Sequence, residues 1–174
     1  MNYLHLILQS ERIQLEPVTI KRDIDVFHHF TAEITRYMFP EPAKSIEGTH
    51  EFLERSIQNM ASGTEYVFAI TNKDTGEFLG MGGVHHLDEE VPEFGIWTKK
   101  EAHGHHYGRE AIALAYRYFK NQYVAFKYPV DQENVPSKKI PLSMGGTLYR
   151  TYEKINMVGV TLHLEEYRIP GEKQ

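Results

Sequence analysis

Between Glu93 and Ala111 the chain changes its hydrophobic period within a few residues, and that change restricts the folds open to it. Glu93 to Thr98 reads as a strand. A loop with Gly104, His103, His105 and His106 follows, and from Gly108 the residues Ile112, Ala115 and Phe119 recur at helical spacing. The strand therefore delivers a helix N-terminus to one end of a sheet. Helix N-termini carry unpaired N–H groups and partial positive charge, and bind phosphates without basic side chains. Glycine lets the backbone come close to such a ligand. Residues 93–111 are thus a candidate pyrophosphate cradle, with a plain strand-to-helix turn as the alternative. No Gly-Lys-Ser/Thr follows and G-x-G-x-x-G is absent, so the loop is neither a Walker loop nor a dinucleotide fingerprint.

The rest of the chain alternates in kind. Residues 11–18 read as a strand, 20–31 as a helix capped by Thr19, and 46–61 as a helix stopped by Gly63. Tyr66–Thr71, Phe78–Leu87 and Glu93–Thr98 read as a three-stranded meander, with turns at 72–76 and 88–92. After the helix at 108–121 come a strand at 124–130, a short helix at 137–143 interrupted by Pro141 and stopped by Gly145-Gly146, and strands at 148–155 and 158–167. This order describes one α+β domain, residues 1–174, around a single sheet.

Composition removes several functions. With no cysteine, disulfides, thiolate metal sites and a cysteine nucleophile are excluded. A net charge of -5 without a Lys/Arg cluster argues against nucleic acid and suits a cationic amine. No apolar run reaches the roughly 20 residues of a membrane span, and Met1–Ser10 lacks the basic start and cleavage site of a signal peptide. A cytoplasmic location is compatible with this. His103, His105 and His106 have an H-x-H spacing that would chelate a metal in an extended loop, but lack the i, i+4 spacing of helical zinc sites. Solvated loop histidines are the simpler reading, and no metal is expected.

The segment His103-Gly104-His105-His106-Tyr107-Gly108, followed by Glu110-Ala111, resembles the acetyl-CoA loop R/Q-x-x-G-x-G/A of the GNAT N-acetyltransferase superfamily. Asn134-Val-Pro-Ser137 with Gly145-Gly146, 26 residues after Gly108, resembles the N-x-x-S…GG segment of its RimJ/RimL-like branch, as Gly76–Gly80 leading to Gly83-Val84-His85 resembles that branch's turn and strand. His103 replaces the usual Arg or Gln, and His106 the usual central glycine. The histidine at 106 loses freedom at positive φ and adds bulk beside the phosphates, although its imidazole can donate to a phosphate oxygen.

The resemblance implies the GNAT fold, a mixed, mostly antiparallel twisted sheet of about seven strands with helices on both faces. It implies acetyl transfer from acetyl-CoA to a primary amine, on a small molecule or a protein N-terminus, by direct attack in a ternary complex. The cofactor would be held by Ile96, Trp97, Thr98, His103, Gly104, His105, His106, Tyr107, Gly108, Arg109, Asn134 and Ser137, with a backbone N–H of Ile96–Thr98 receiving the oxyanion. Glu93 is the first choice of general base, with His85 or His86 as alternatives, only one of which can face the cleft. Ser137 is the proton donor to the leaving thiolate, or only a helix cap. Trp97, Tyr128 and Tyr37–Phe39 either line the acceptor cleft or pack structurally. A homodimer is an expectation from resemblance. The competing class is a non-catalytic CoA-binding or sensor module of the same fold, for which His106 speaks.

Overall fold

The computed structural model describes every residue from Met1 to Gln174. The strands are β1 (Leu8–Gln9), β2 (Ile13–Pro17), β3 (Tyr66–Asn72), β4 (Phe78–His85), β5 (Glu93–Thr98), β6 (Ala125–Asp131), β7 (Thr147–Ile155) and β8 (Thr161–Pro170). The helices are α1 (Asp23–His29), α2 (Ile46–Ser62), α3 (Tyr107–Phe119) and α4 (Val135–Ser143). All strands join one sheet in the order β1-β2-β3-β4-β5-β6-β8-β7. Every neighbouring pair is antiparallel except β5–β6.

The expected elements are present, with informative differences. The sheet has an eighth strand, because the two-residue β1 pairs with β2. Residues 20–31 form a 3-10 turn at Ile20–Arg22 and then α1, and the Thr19 side chain caps neither. β4 stops at His85 because His86 turns the chain with φ 59°. β8 starts at Thr161 because the Asn156 side chain accepts from Val158 and Val160 N–H and holds a turn there. α4 starts two residues early, with a proline in its first turn, and continues through Pro141 to Ser143. Pro141 sits close enough to the helix end that its carbonyl closes the C-terminal turn, accepting from Met144 and Gly146 N–H. A side chain on Gly146 would place its Cβ 2.7 Å from that carbonyl oxygen.

The core lies on both sides of the sheet. Phe94 stacks on Phe126, which in turn meets Tyr116 of α3. Trp97, on the opposite face of β5, packs on Phe30 at the end of α1. Phe68, Phe94, Ile112, Phe119 and Phe126 are fully buried and join the two halves of the sheet to α3.

The central strands separate where β5 meets β6. They share a single register pair, Glu93↔Lys127, with Lys127 N–H donating to Pro92 C=O. The next β6 residue to offer an N–H to β5 is Pro129, which has none. β6 keeps its full ladder to β8 on the other edge, from Ala125↔Pro170 to Asp131↔Leu164. Proline therefore ends one ladder without disturbing the other, and β5 and β6 diverge.

Candidate active site

Divergence leaves a row of backbone groups on β5 without a strand partner. N–H and C=O alternate in direction along a strand. Because Pro92 points its carbonyl at β6, Ile96 and Thr98 point theirs the same way, into the gap. Thr98 C=O is used there, since it accepts from His103 Nε2 at 3.0 Å. Trp97 turns its backbone the other way, to β4: a Cβ on Gly80 would lie 2.3 Å from Trp97 O. Of the three strand residues, Ile96 and Thr98 thus face the gap with backbone, and Trp97 does not.

The loop after β5 continues this row. The backbone N–H groups of Gly104, His105, His106, Tyr107, Gly108 and Arg109 make no hydrogen bond to the protein. The first turn of α3 begins only with Glu110 N–H donating to His106 C=O. His106 is the N-cap, with φ 63° and ψ 20°. It holds the left-handed conformation that glycine would hold, at a cost of about 1–2 kcal/mol for an L-residue. Gly108 lies against β5, where an added Cβ would be 3.4 Å from Ile96 Cγ1. Arg12, just before β2, braces the loop: it donates to His105 C=O at 3.0 Å, pairs with Glu110 through Nε at 2.9 Å, and covers the Tyr107 ring at 4.8 Å. Ser10 Oγ donates to the second Glu110 oxygen. The Arg109 side chain has no partner.

Across the gap, Asn134 is the N-cap of α4, its Oδ1 accepting from Ser137 N–H at 3.4 Å. Ser137 is therefore not the cap residue, and Asn134 spends its carbonyl on the helix. Ser137 Oγ instead lies 2.8 Å from the Tyr128 hydroxyl. Tyr128 is buried and belongs to the core.

On the Trp97 face of the sheet, Glu93 stands directly opposite His85 on β4 and beside Lys127 on β6. The Glu93 carboxyl makes no hydrogen bond or ion pair. Burial pushes it above the ordinary carboxylate range, against the opposing pull of His85, His86, Lys127 and Lys154. His85 is held by Glu65, whose Oε1 lies 3.2 Å from His85 Nδ1. Burial drives the Glu65 carboxyl up, but the His85 contact and an Asn59 hydrogen bond outweigh it and leave Glu65 below the usual range. A carboxylate only accepts, so Nδ1–H donates to Glu65, and Nε2 makes no hydrogen bond. The ring lies over two glycines: a Cβ on Gly83 would be 2.7 Å, and one on Gly95 3.3 Å, from Nε2. His86 points elsewhere, half-exposed, with Nδ1 3.5 Å from Glu89.

A domain model described as Acetyltransferase (GNAT) domain matches residues 12–147. The chain belongs to this family. Among solved structures, the GNAT fold here is similar to RimL, a ribosomal alpha-N-protein acetyltransferase in complex with coenzyme A (TM-score 0.85, 13% identity, covering 97% of this chain and 100% of that one). It is similar to spermidine N-acetyltransferase from Vibrio cholerae in complex with CoA and spermine (TM-score 0.81, 16% identity, 94% and 98%). A GNAT-family acetyltransferase from Bacillus anthracis aligns at TM-score 0.80 with 18% identity over 97% and 100%. No curated protein matches the sequence. At these identities the structures establish the GNAT fold.

The three histidines of the GNAT loop have separate fates. His103 bonds to Thr98, His105 stacks on Tyr107 at 5.5 Å, and His106 caps α3. No group of three or more His, Cys, Asp or Glu side chains is close enough to hold a metal ion. No helix is long and apolar enough to cross a membrane. Two residues at the site, Pro129 and Glu65, are not among the candidates read from the sequence, and Tyr128 is a candidate there only as cleft wall or core, not for its hydroxyl contact. Pro129 carries a signal, a proline in a central strand. Glu65 and the Tyr128 hydroxyl carry none, because their partners lie 20 and 9 residues away and meet only through the sheet and α4.

Proposed function

We propose that the whole chain is one GNAT domain that transfers an acetyl group from acetyl-CoA to a primary amine. The observation that carries this reading is the unbroken run of unpaired N–H groups from Gly104 to Arg109, leading from the gap beside Ile96 to the start of α3. Those groups fit a pyrophosphate. The pantetheine arm of acetyl-CoA would lie along β5, where Ile96 N–H would receive the charge that develops on the thioester oxygen. His106 supports binding because it keeps the backbone conformation a glycine supplies; this counts against a sensor that has lost its site.

Glu93 acts as the general base. A carboxylate with a raised pKa can accept a proton from the ammonium of the incoming amine, whose nitrogen then attacks the carbonyl. His85, fixed by Glu65 with Nε2 free, stands directly across the strands to take that proton onward. As the C–S bond breaks, Ser137 donates a hydrogen bond to the departing sulfur. Asn134 fixes the turn that carries Ser137. The acceptor is a small amine or a protein N-terminus, approaching on the face of Trp97 and Glu93.

Two measurements test this. Acetyl-CoA at a hundredfold excess over its dissociation constant is expected to stabilise the protein by about 2.7 kcal/mol, with free pyrophosphate as control. Thiol release is then followed with a panel of polyamines, amino acids and peptides. No thermal shift at millimolar acetyl-CoA sinks the reading; binding without turnover of any amine favours a sensor.

A further inference from the structure

Two hydroxyls meet at the α4 side of the gap, and counting their protons assigns them different jobs. Tyr128 Oη and Ser137 Oγ are 2.8 Å apart, and neither has another hydrogen-bond partner for its hydroxyl. Each carries one proton, but the contact consumes only one. Tyr128 is 2% exposed, so its proton has no water to go to. A buried donor left unpaired is the costlier arrangement, which makes Tyr128 the donor and Ser137 the acceptor. Burial also pushes the phenol pKa up, so the proton is kept at any working pH.

The Ser137 proton is the one left over. Serines in helices commonly donate to a carbonyl of the preceding turn. Ser56 does so to Phe52 at 3.0 Å, and Ser143 to Ile140 at 2.7 Å. Ser137 makes no such bond. It is half-buried in the first turn of α4, and its backbone N–H is pinned by Asn134. One turn further along, Ile140 reaches the Gly108 corner of α3: a Cβ there would be 3.9 Å from Ile140 Cδ1. Ser137 therefore stands on the wall between the two helix starts.

We propose that Tyr128 is a positioning residue that makes Ser137 an obligate donor into the gap, aimed at the sulfur of the leaving CoA. This rests on the reading of Ser137 given above. When the C–S bond breaks, its electron pair goes to sulfur. The Ser137 proton hydrogen-bonds that sulfur and remains on oxygen, while Tyr128 keeps Ser137 Oγ electron-poor by donating to it. No bond in Tyr128 changes, so its effect reaches the reaction only through Ser137.

The experiment needs no acceptor amine. The full-length protein is saturated with CoA, and the bound thiol is titrated by the ultraviolet absorbance of its thiolate. Ser137→Ala is expected to raise the midpoint by about one pH unit, a tenfold loss of thiolate at a fixed pH. Tyr128→Phe keeps the ring and the core packing; it is expected to raise the midpoint by about half as much, and the double variant to match Ser137→Ala alone. A wild-type midpoint in Tyr128→Phe, or additive shifts in the double variant, overturns the role of Tyr128 and leaves that of Ser137 standing. A wild-type midpoint in Ser137→Ala removes the reading of Ser137 and the proposal with it. Melting temperature and circular dichroism check that each variant is folded. A second readout is turnover once an acceptor is found: kcat falls in Tyr128→Phe while KM for acetyl-CoA stays fixed, the split that a merely structural loss would not give.

Discussion

The two walls of the gap are built from different materials. The wall from Ile96 to Arg109 is backbone: a strand edge released by Pro129 and a run of N–H groups at the start of α3. The wall around Glu93 is side chain: a lone carboxyl, His85 above two glycines, and Glu65 behind it. A backbone site tolerates side-chain replacement as long as φ and ψ are kept. That is why His103 and His106 can stand where the family has other residues. A side-chain site has no such tolerance, since one atom carries each role.

Substitutions sharpen that contrast. The largest effect is expected on the side-chain wall. Glu93→Gln should lower kcat/KM by about 100-fold or more, leave KM for acetyl-CoA within about twofold, and abolish an acidic limb lying above the ordinary carboxylate range; a pH–rate profile reads all three. The same substitution should stabilise the fold. The Glu93 pKa is raised on folding, so the native state binds its proton more tightly than the unfolded state. Its contribution is present at low pH and is lost as pH rises from the unfolded carboxyl value through the higher folded one. Glu93→Gln should therefore melt higher than wild type at pH 7, with the gain gone near pH 4.

Next in size is a change of shape on the backbone wall. Gly108→Val drives a branched side chain at Ile96, and acetyl-CoA affinity should fall by about tenfold, or 1.4 kcal/mol, in calorimetric titration. Glu65→Gln leaves Glu93 and His85 in place but replaces the carboxylate that orients His85. A loss in kcat with a displaced pH profile is expected, as when a carboxylate that orients a histidine is removed; unchanged kcat would reduce the pair to a structural contact. The smallest effect is expected at the most conspicuous departure in the sequence. His106→Gly relieves about 1–2 kcal/mol of left-handed strain but adds about 0.5–1 kcal/mol of chain entropy to the unfolded state. Affinity for acetyl-CoA should stay within about threefold. A tenfold change in either direction would mean that the imidazole, and not the backbone, does the binding.

Sequence periodicity alone determines the kind and order of β2–β8 and α1–α4, because each depends on neighbours three or four residues away in a helix or two in a strand; the two-residue β1 is too short to show a period. The loop at 103–108, its junction with α3, and the Asn134–Ser137 turn are local for the same reason. Residue type marks Thr19 and Ser137 as possible caps, yet Thr19 holds the N-cap position without a side-chain bond and Asn134 caps α4 in place of Ser137, because a cap depends on side-chain geometry within one turn, which residue type does not specify. Tertiary structure decided the rest. It took the sheet to set Glu93 opposite His85, the pairing of β3 with β4 to bring Glu65 to His85, and the packing of α4 on β6 to join Ser137 to Tyr128. These contacts pair residues that no periodicity relates, so their partners are chosen by the fold. Pro129 stands between the two cases: its missing N–H is written in the sequence, but only its place beside β5 turns that absence into a gap.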